Sequence, residues 1–99
     1  KNTCGNIAIH PSNNFIFASN RGHDSIAVFE ILEDYKLKLI NIIYCMGKTP
    51  RHFTLNNNGT ILYVANQDSN NVSIFKFENK SLIYDNDIKV DSPNFIIEL

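Results

Sequence analysis

The chain has 99 residues, 43% of them hydrophobic and 11% aromatic, which is enough for a small core and too apolar for a disordered segment. A net charge of −1 offers no basic field for a nucleic acid or an anionic membrane surface. No apolar run approaches the roughly 18 residues of a membrane-spanning helix.

The opening Lys1-Asn2-Thr3-Cys4-Gly5 is neither a methionine start nor a signal peptide, because no apolar segment follows it. The chain is therefore expected to begin inside a longer one. Ile7-Ala8-Ile9 alternates and predicts a strand over 5–10, closed by the turn Pro11-Ser12-Asn13-Asn14. Phe15-Ile16-Phe17 opens a second strand, 15–20, and Ser25 to Ile31 a third, 25–32, followed by a fourth over 37–45. The same reading gives strands at 51–56, 61–66, 71–78 and 82–90. Each is rich in β-branched or aromatic residues and bounded by Asn, Gly, Pro, Asp or Ser. Apolar residues nowhere recur at three and four, so the fold class is all-β.

An internal repeat organises these strands. Shifted by 46 positions, Phe15-Ile16-Phe17-Ala18-Ser19-Asn20 falls on Ile61-Leu62-Tyr63-Val64-Ala65-Asn66, and Ser25 to Ile31 falls on Asn71 to Phe77 without a gap. Four strands per period of about 45 residues is the pattern of a β-propeller blade. The chain is thus read as two four-stranded antiparallel blades, 1–46 and 47–91. Residues 92–99 form the innermost strand of a further, ring-closing blade, because Ser92-Pro93-Asn94-Phe95 repeats the start of the second. A complete ring of 4–8 blades needs about 180–360 residues, so the remaining blades are expected partners and this piece is expected to be incomplete alone.

Cys4 and Cys45 are too few for a disulfide scaffold and lack metal-type spacing, so they are read as buried thiols of a cytosolic protein. Asn-X-Ser/Thr triplets at Asn58, Asn71 and Asn79 are expected by chance in so Asn-rich a chain and are not read as glycosylation sites. No Ser-His-Asp spacing, CxxC pair, phosphate loop or metal-ligand cluster is present, and no cofactor is expected.

Alternating strand direction sorts the loops. One end carries Asn20 to Asp24, Gly47 to Arg51, Asn66 to Asn70 and Asp91 to Pro93; the other carries ordinary turn residues. At the richer end, Arg21 and Arg51 would converge near a channel mouth, where two guanidinium forks suit a carboxylate or phosphate. The alternative is that each pairs with a carboxylate such as Asp24 or Asp68. His23, beside Asp24, could serve as acid or base near neutral pH or simply close its turn. His10 and His52 are read as structural, and Asn20 and Asn66, at one repeat position, as turn closers.

The strings Ala18-Ser19-Asn20-Arg21-Gly22-His23-Asp24-Ser25-Ile26-Ala27-Val28-Phe29, Gly47-Lys48-Thr49-Pro50-Arg51-His52-Phe53 and Ala65-Asn66-Gln67-Asp68-Ser69-Asn70-Asn71, with Ser92-Pro93, resemble the seven-bladed propeller lactonase family. That family includes propeller-type 6-phosphogluconolactonases and carboxymuconate lactonizing enzymes (cyclases). The resemblance covers nearly the whole chain, matches C-terminal blades, and implies a cytoplasmic propeller with its site at one channel mouth. It implies Arg21, His23 and Arg51 as catalytic candidates and Asn20, Asp24 and Gln67 as substrate-binding ones, toward a small anionic lactone or sugar phosphate. One departure stands out: members often carry an acidic residue two positions before the one matching His10, where this chain has Ala8. Three readings follow: a 6-phosphoglucono-lactone hydrolase of the pentose phosphate pathway, a cyclase, or a non-catalytic scaffold or inactive copy, which Ala8 favours.

Overall fold

A computed structural model of the chain describes residues 3–91, with side chains from Asn6 onward. The predicted strand at 92–99 lies outside the described residues. Eight strands run in chain order: β1 Thr3–Ile9, β2 Phe15–Arg21, β3 Ser25–Ile31, β4 Leu37–Tyr44, β5 Pro50–Leu55, β6 Ile61–Asn66, β7 Asn71–Glu78 and β8 Ser81–Lys89. They form two antiparallel sheets, β1-β2-β3-β4 and β5-β6-β7-β8, each a simple meander. Short 3₁₀ turns at Glu33–Tyr35 and Gln67–Ser69 are the only helical elements among the described residues.

Turn chemistry explains the reversals. Asn79 and Lys80 both have positive φ, 53° and 63°, the backbone of a two-residue hairpin turn whose twist matches its strands. Asp24 and Asn70, one repeat apart, are both left-handed, at 56° each, a conformation their short polar side chains tolerate. The sheets also share their irregularities. β1 is bulged between Cys4 and Ile7 and β5 between Pro50 and His52. The pairs β3/β4 and β7/β8 slip at Val28/Phe29 and Ile74/Phe75. Bulges at matching repeat positions show that the repeat is one of backbone geometry as well as of residue type.

Register separates the two faces of each sheet, since directly paired residues share a face. In the first sheet Ala8, Phe17, Val28 and Asn41 form one ladder, and Phe17 and Val28 are fully buried in the core. The neighbouring ladder Ile7, Ala18, Ala27 and Ile42 lies on the opposite face, where Ile7 and Ile42 are exposed. In the second sheet Leu55, Leu62 and Phe75 pair across three strands and pack into the same core as Phe17 and Val28. The core is therefore the seam between two sheets packed face to face, and the first sheet keeps an apolar outer face for a further neighbour.

One end of the seam is sealed by aromatic rings. Phe77 lies 5.1 Å from Phe17, 5.2 Å from Phe15 and 5.3 Å from His10, centroid to centroid. His10 Nε2 donates to the Gly59 carbonyl across the seam at 2.9 Å, while Nδ1 accepts from Ser12 N at 3.1 Å. His10 is thus a structural tie between the sheets. Ala8 packs against the same core, so a carboxylate at its position would enter an apolar seam. On the rim the exposed Lys80 Nζ meets the half-buried Glu30 Oε2 at 3.0 Å, a partly solvated pair worth about 1 kcal/mol or less.

Candidate functional site

The opposite end carries the predicted candidates, and a network of hydrogen bonds runs through it. The inter-sheet linker 45–49 threads between the β2–β3 hairpin of one sheet and the β6–β7 turn of the other. Cys45 N donates to Asp24 O at 2.9 Å, Gln67 N to Thr49 O at 3.0 Å and Asp68 N to Lys48 O at 3.2 Å. Lys48 N donates to Ser69 Oγ at 2.8 Å. These bonds confirm that the two hairpins and the linker lie at one end.

Arg51 is the extra residue of the β5 bulge, because Pro50 pairs with Asn66 and His52 with the adjacent Ala65. A bulge in an innermost strand re-aims a side chain while leaving the rest of the ladder paired. Arg51 is exposed and engages no carboxylate among the described residues. Arg21 ends β2 on the same face as Phe17 and Ser19, toward the second sheet. Its Nε is buried and has no hydrogen-bond partner among the described residues. The ion pairs with Asp24 and Asp68 that the sequence left open do not form; Asp24 Oδ1 and Asp68 Oδ2 instead accept from the linker residue Thr49. His23 is exposed, hydrogen-bonded through Nδ1 to Ser25 Oγ at 2.7 Å, and lies 5.1 Å from the Tyr44 ring. The same end thus gathers two guanidinium groups that pair with no carboxylate among the described residues and an accessible imidazole, and no hydrogen bond joins the three.

The remaining candidates take other positions. Asp24 Oδ1 accepts from Gly22 N at 3.3 Å and Thr49 N at 3.1 Å, so its carboxylate binds backbone. Gln67 enters the network through its backbone N–H. Asn66 is fully buried and bonds backbone, as a turn closer would, but the backbone is not that of its own turn. Its Nδ2 donates to Ser73 Oγ at 2.7 Å and to Cys45 O at 3.4 Å. Asn66 therefore fastens the linker, because its face of β6 turns toward the first sheet. Asn20 holds the equivalent place in the first sheet, and its Oδ1 is buried without a partner among the described residues.

Sequence reasoning passed over Thr49, Ser73 and Asn71. Thr49 is left-handed at φ 59°; Ser73 Oγ donates to Cys45 O at 2.6 Å; Asn71 Nδ2 donates to Met46 O at 3.1 Å. The available signal was Asn71 and Ser73 at alternate positions in line with the apolar Phe75 and Phe77, since a buried hydroxyl or amide demands a partner. Burial holds the His52 imidazole below its ordinary value. Among the described residues no three His, Cys, Asp or Glu side chains group as metal ligands, and no helix is long and apolar enough to cross a membrane.

Cys45 is a free, buried thiol whose Sγ–H donates to Gly47 O at 3.2 Å; the side chain of Cys4 lies outside the described residues. Burial pushes the Cys45 thiol from its ordinary 9.0 up to about 11. The folded state holds this proton more tightly than the unfolded chain does. The stability linked to it is therefore complete below pH 9 and lost as pH rises toward 11. With Cys4→Ser as background, Cys45 is expected to react with Ellman's reagent at pH 8 about 100-fold more slowly folded than unfolded. Equal rates would show an accessible thiolate.

Two meanders of four strands, related by a 46-residue repeat and packed face to face, are successive blades of a β-propeller. Residues 1–97 match the family described as Lactonase, 7-bladed beta-propeller, and the chain belongs to that family. A 6-phosphogluconolactonase of Formosa agariphila is 45% identical over 73 residues, covering 71% of this chain and 21% of the relative. The structure of a candidate 6-phosphogluconolactonase from Bacteroides fragilis superposes with a TM-score of 0.85 at 34% identity, covering 91% of this chain and 26% of that one. A periplasmic gluconolactonase of Pseudomonas aeruginosa reaches 0.90 over 96% of this chain and 28% of its own, at 23% identity, a likeness of fold. The chain spans about a fifth of the length of the curated relatives it matches.

Proposed function

We propose that this chain contributes two blades, and the Arg21, His23 and Arg51 portion of a channel-mouth site, to a cytoplasmic propeller lactonase that opens 6-phosphoglucono-lactone to 6-phosphogluconate. The observation that carries this reading is the pair of arginines at one end of the seam that meet no carboxylate among the described residues, one of them on an innermost-strand bulge. Guanidinium groups left uncompensated are suited to an anionic substrate or to the oxyanion that forms on it. In the reaction, water adds to the lactone carbonyl carbon and gives up a proton to a base. The resulting oxyanion collapses, the ring C–O bond breaks, and a proton returns to the ring oxygen. His23 is accessible for one of these transfers.

The test is lactone hydrolysis by the intact protein. Arg21→Ala and Arg51→Ala are each expected to lower kcat/KM at least about tenfold, a floor below the roughly 100-fold or greater loss typical of removing one donor to a developing charge. Wild-type rates in both variants would overturn the assignment.

A further inference from the structure

Thr49 stands two residues before Arg51 in a conformation that a β-branched residue rarely adopts, φ 59°. Such a backbone persists only where its surroundings hold it, and here every polar group of the residue is held. Its N–H donates to Asp24 Oδ1 at 3.1 Å, its carbonyl accepts from Gln67 N at 3.0 Å, and its Oγ1–H donates to Asp68 Oδ2 at 2.5 Å. The two carboxylates come from hairpins of different blades. Asp24, itself left-handed, also accepts from Gly22 N and so is anchored in its own hairpin. Immediately beyond Thr49 lie the buried Pro50 and then Arg51, the bulge residue.

We infer that Asp24 is a positioning residue for Arg51. Together with Asp68 it locks Thr49 in the left-handed turn that sets the entry of β5, and thereby fixes where the bulge presents the guanidinium. The inference rests on the reading of Arg51 as a site arginine. It moves Asp24 from a contact with substrate to a joint between blades, and it makes the approach of Arg51 depend on how two blades are docked. A charged acceptor suits the task, because N–H to carboxylate bonds are roughly twice as strong as neutral ones.

In the intact protein, Asp24→Ala is expected to lower kcat/KM for lactone hydrolysis at least about tenfold, as small misplacements of a catalytic group do. Asp24→Asn keeps an acceptor oxygen and should restore the rate to within about threefold of wild type. In an Arg51→Ala background, Asp24→Ala should change the rate by less than about twofold, since residues acting through one group are not additive. Amide exchange of Thr49 should accelerate at least about tenfold in Asp24→Ala, and Arg51 Nε relaxation should report a more mobile side chain. Unchanged exchange at Thr49, or losses that multiply in the double variant, would overturn the inference. Should Arg51→Ala leave hydrolysis unchanged, the site reading falls. Thr49 exchange and Arg51 relaxation then still decide whether Asp24 orders Arg51.

Discussion

Phe17→Ala is expected to destabilise the protein by about 3–5 kcal/mol, the range for deleting a fully buried phenylalanine. Phe17 has no exposed surface. It sits on the seam-facing ladder of the first blade and contacts Phe77 edge-on at 5.1 Å and the His10 ring at 6.2 Å. Its removal empties the junction where two sheets and the His10 tie meet, and close-packed neighbours collapse only partly into such a void. Exposed positions offer the control: Tyr35 is 92% exposed, so Tyr35→Ala should fall within about 0.5 kcal/mol of wild type. Urea midpoints of the intact protein measure both. Equal, small shifts would mean that the blade seam is not where stability resides.

The strands were legible because their physics is local. Alternation in Phe15-Ile16-Phe17 and Ile26-Ala27-Val28, with Asn, Gly and Asp at the turns, predicts β2 and β3 to within a residue at each end. The repeat then orders eight strands into two equivalent sheets. What alternation alone does not supply is which face of each blade meets the other, since both faces of a middle blade are covered. That is why Asn66 reads as a turn closer when it fastens a linker 21 residues away in sequence. The candidate site was legible in its location and not in its wiring. Strand parity places Arg21, His23 and Arg51 at one end, but the use of Asp24 and Asp68 depends on the left-handed backbone of Thr49, for which a threonine gives no local cue. Arg51 is a further case: its identity suggests an anion contact, whereas its bulge follows from pairing with β6.

Gly47→Ala is expected to cost about 2–4 kcal/mol, combining the strain of overpacking with loss of a buried hydrogen bond. A Cβ at Gly47 would lie 2.5 Å from Asn66 Cγ and Nδ2 and 2.6 Å from Asn66 Cβ. Asn66 has no room to withdraw, being fully buried and bonded to Ser73 Oγ and the Cys45 carbonyl. Either the linker lifts away, releasing the network that leads to Thr49, or the amide is displaced and its Nδ2 loses Ser73 Oγ and the Cys45 carbonyl. Asn66→Ala alone removes the fastening and should cost about 1–3 kcal/mol, the penalty for groups left unsatisfied in a buried site. The double variant should cost less than the sum of the two, because truncating Asn66 removes two of the three atoms that the new Cβ meets. Chemical denaturation of the four proteins gives the cycle. Strict additivity would mean that Gly47 and Asn66 do not press on each other and that some other contact holds the linker between the blades.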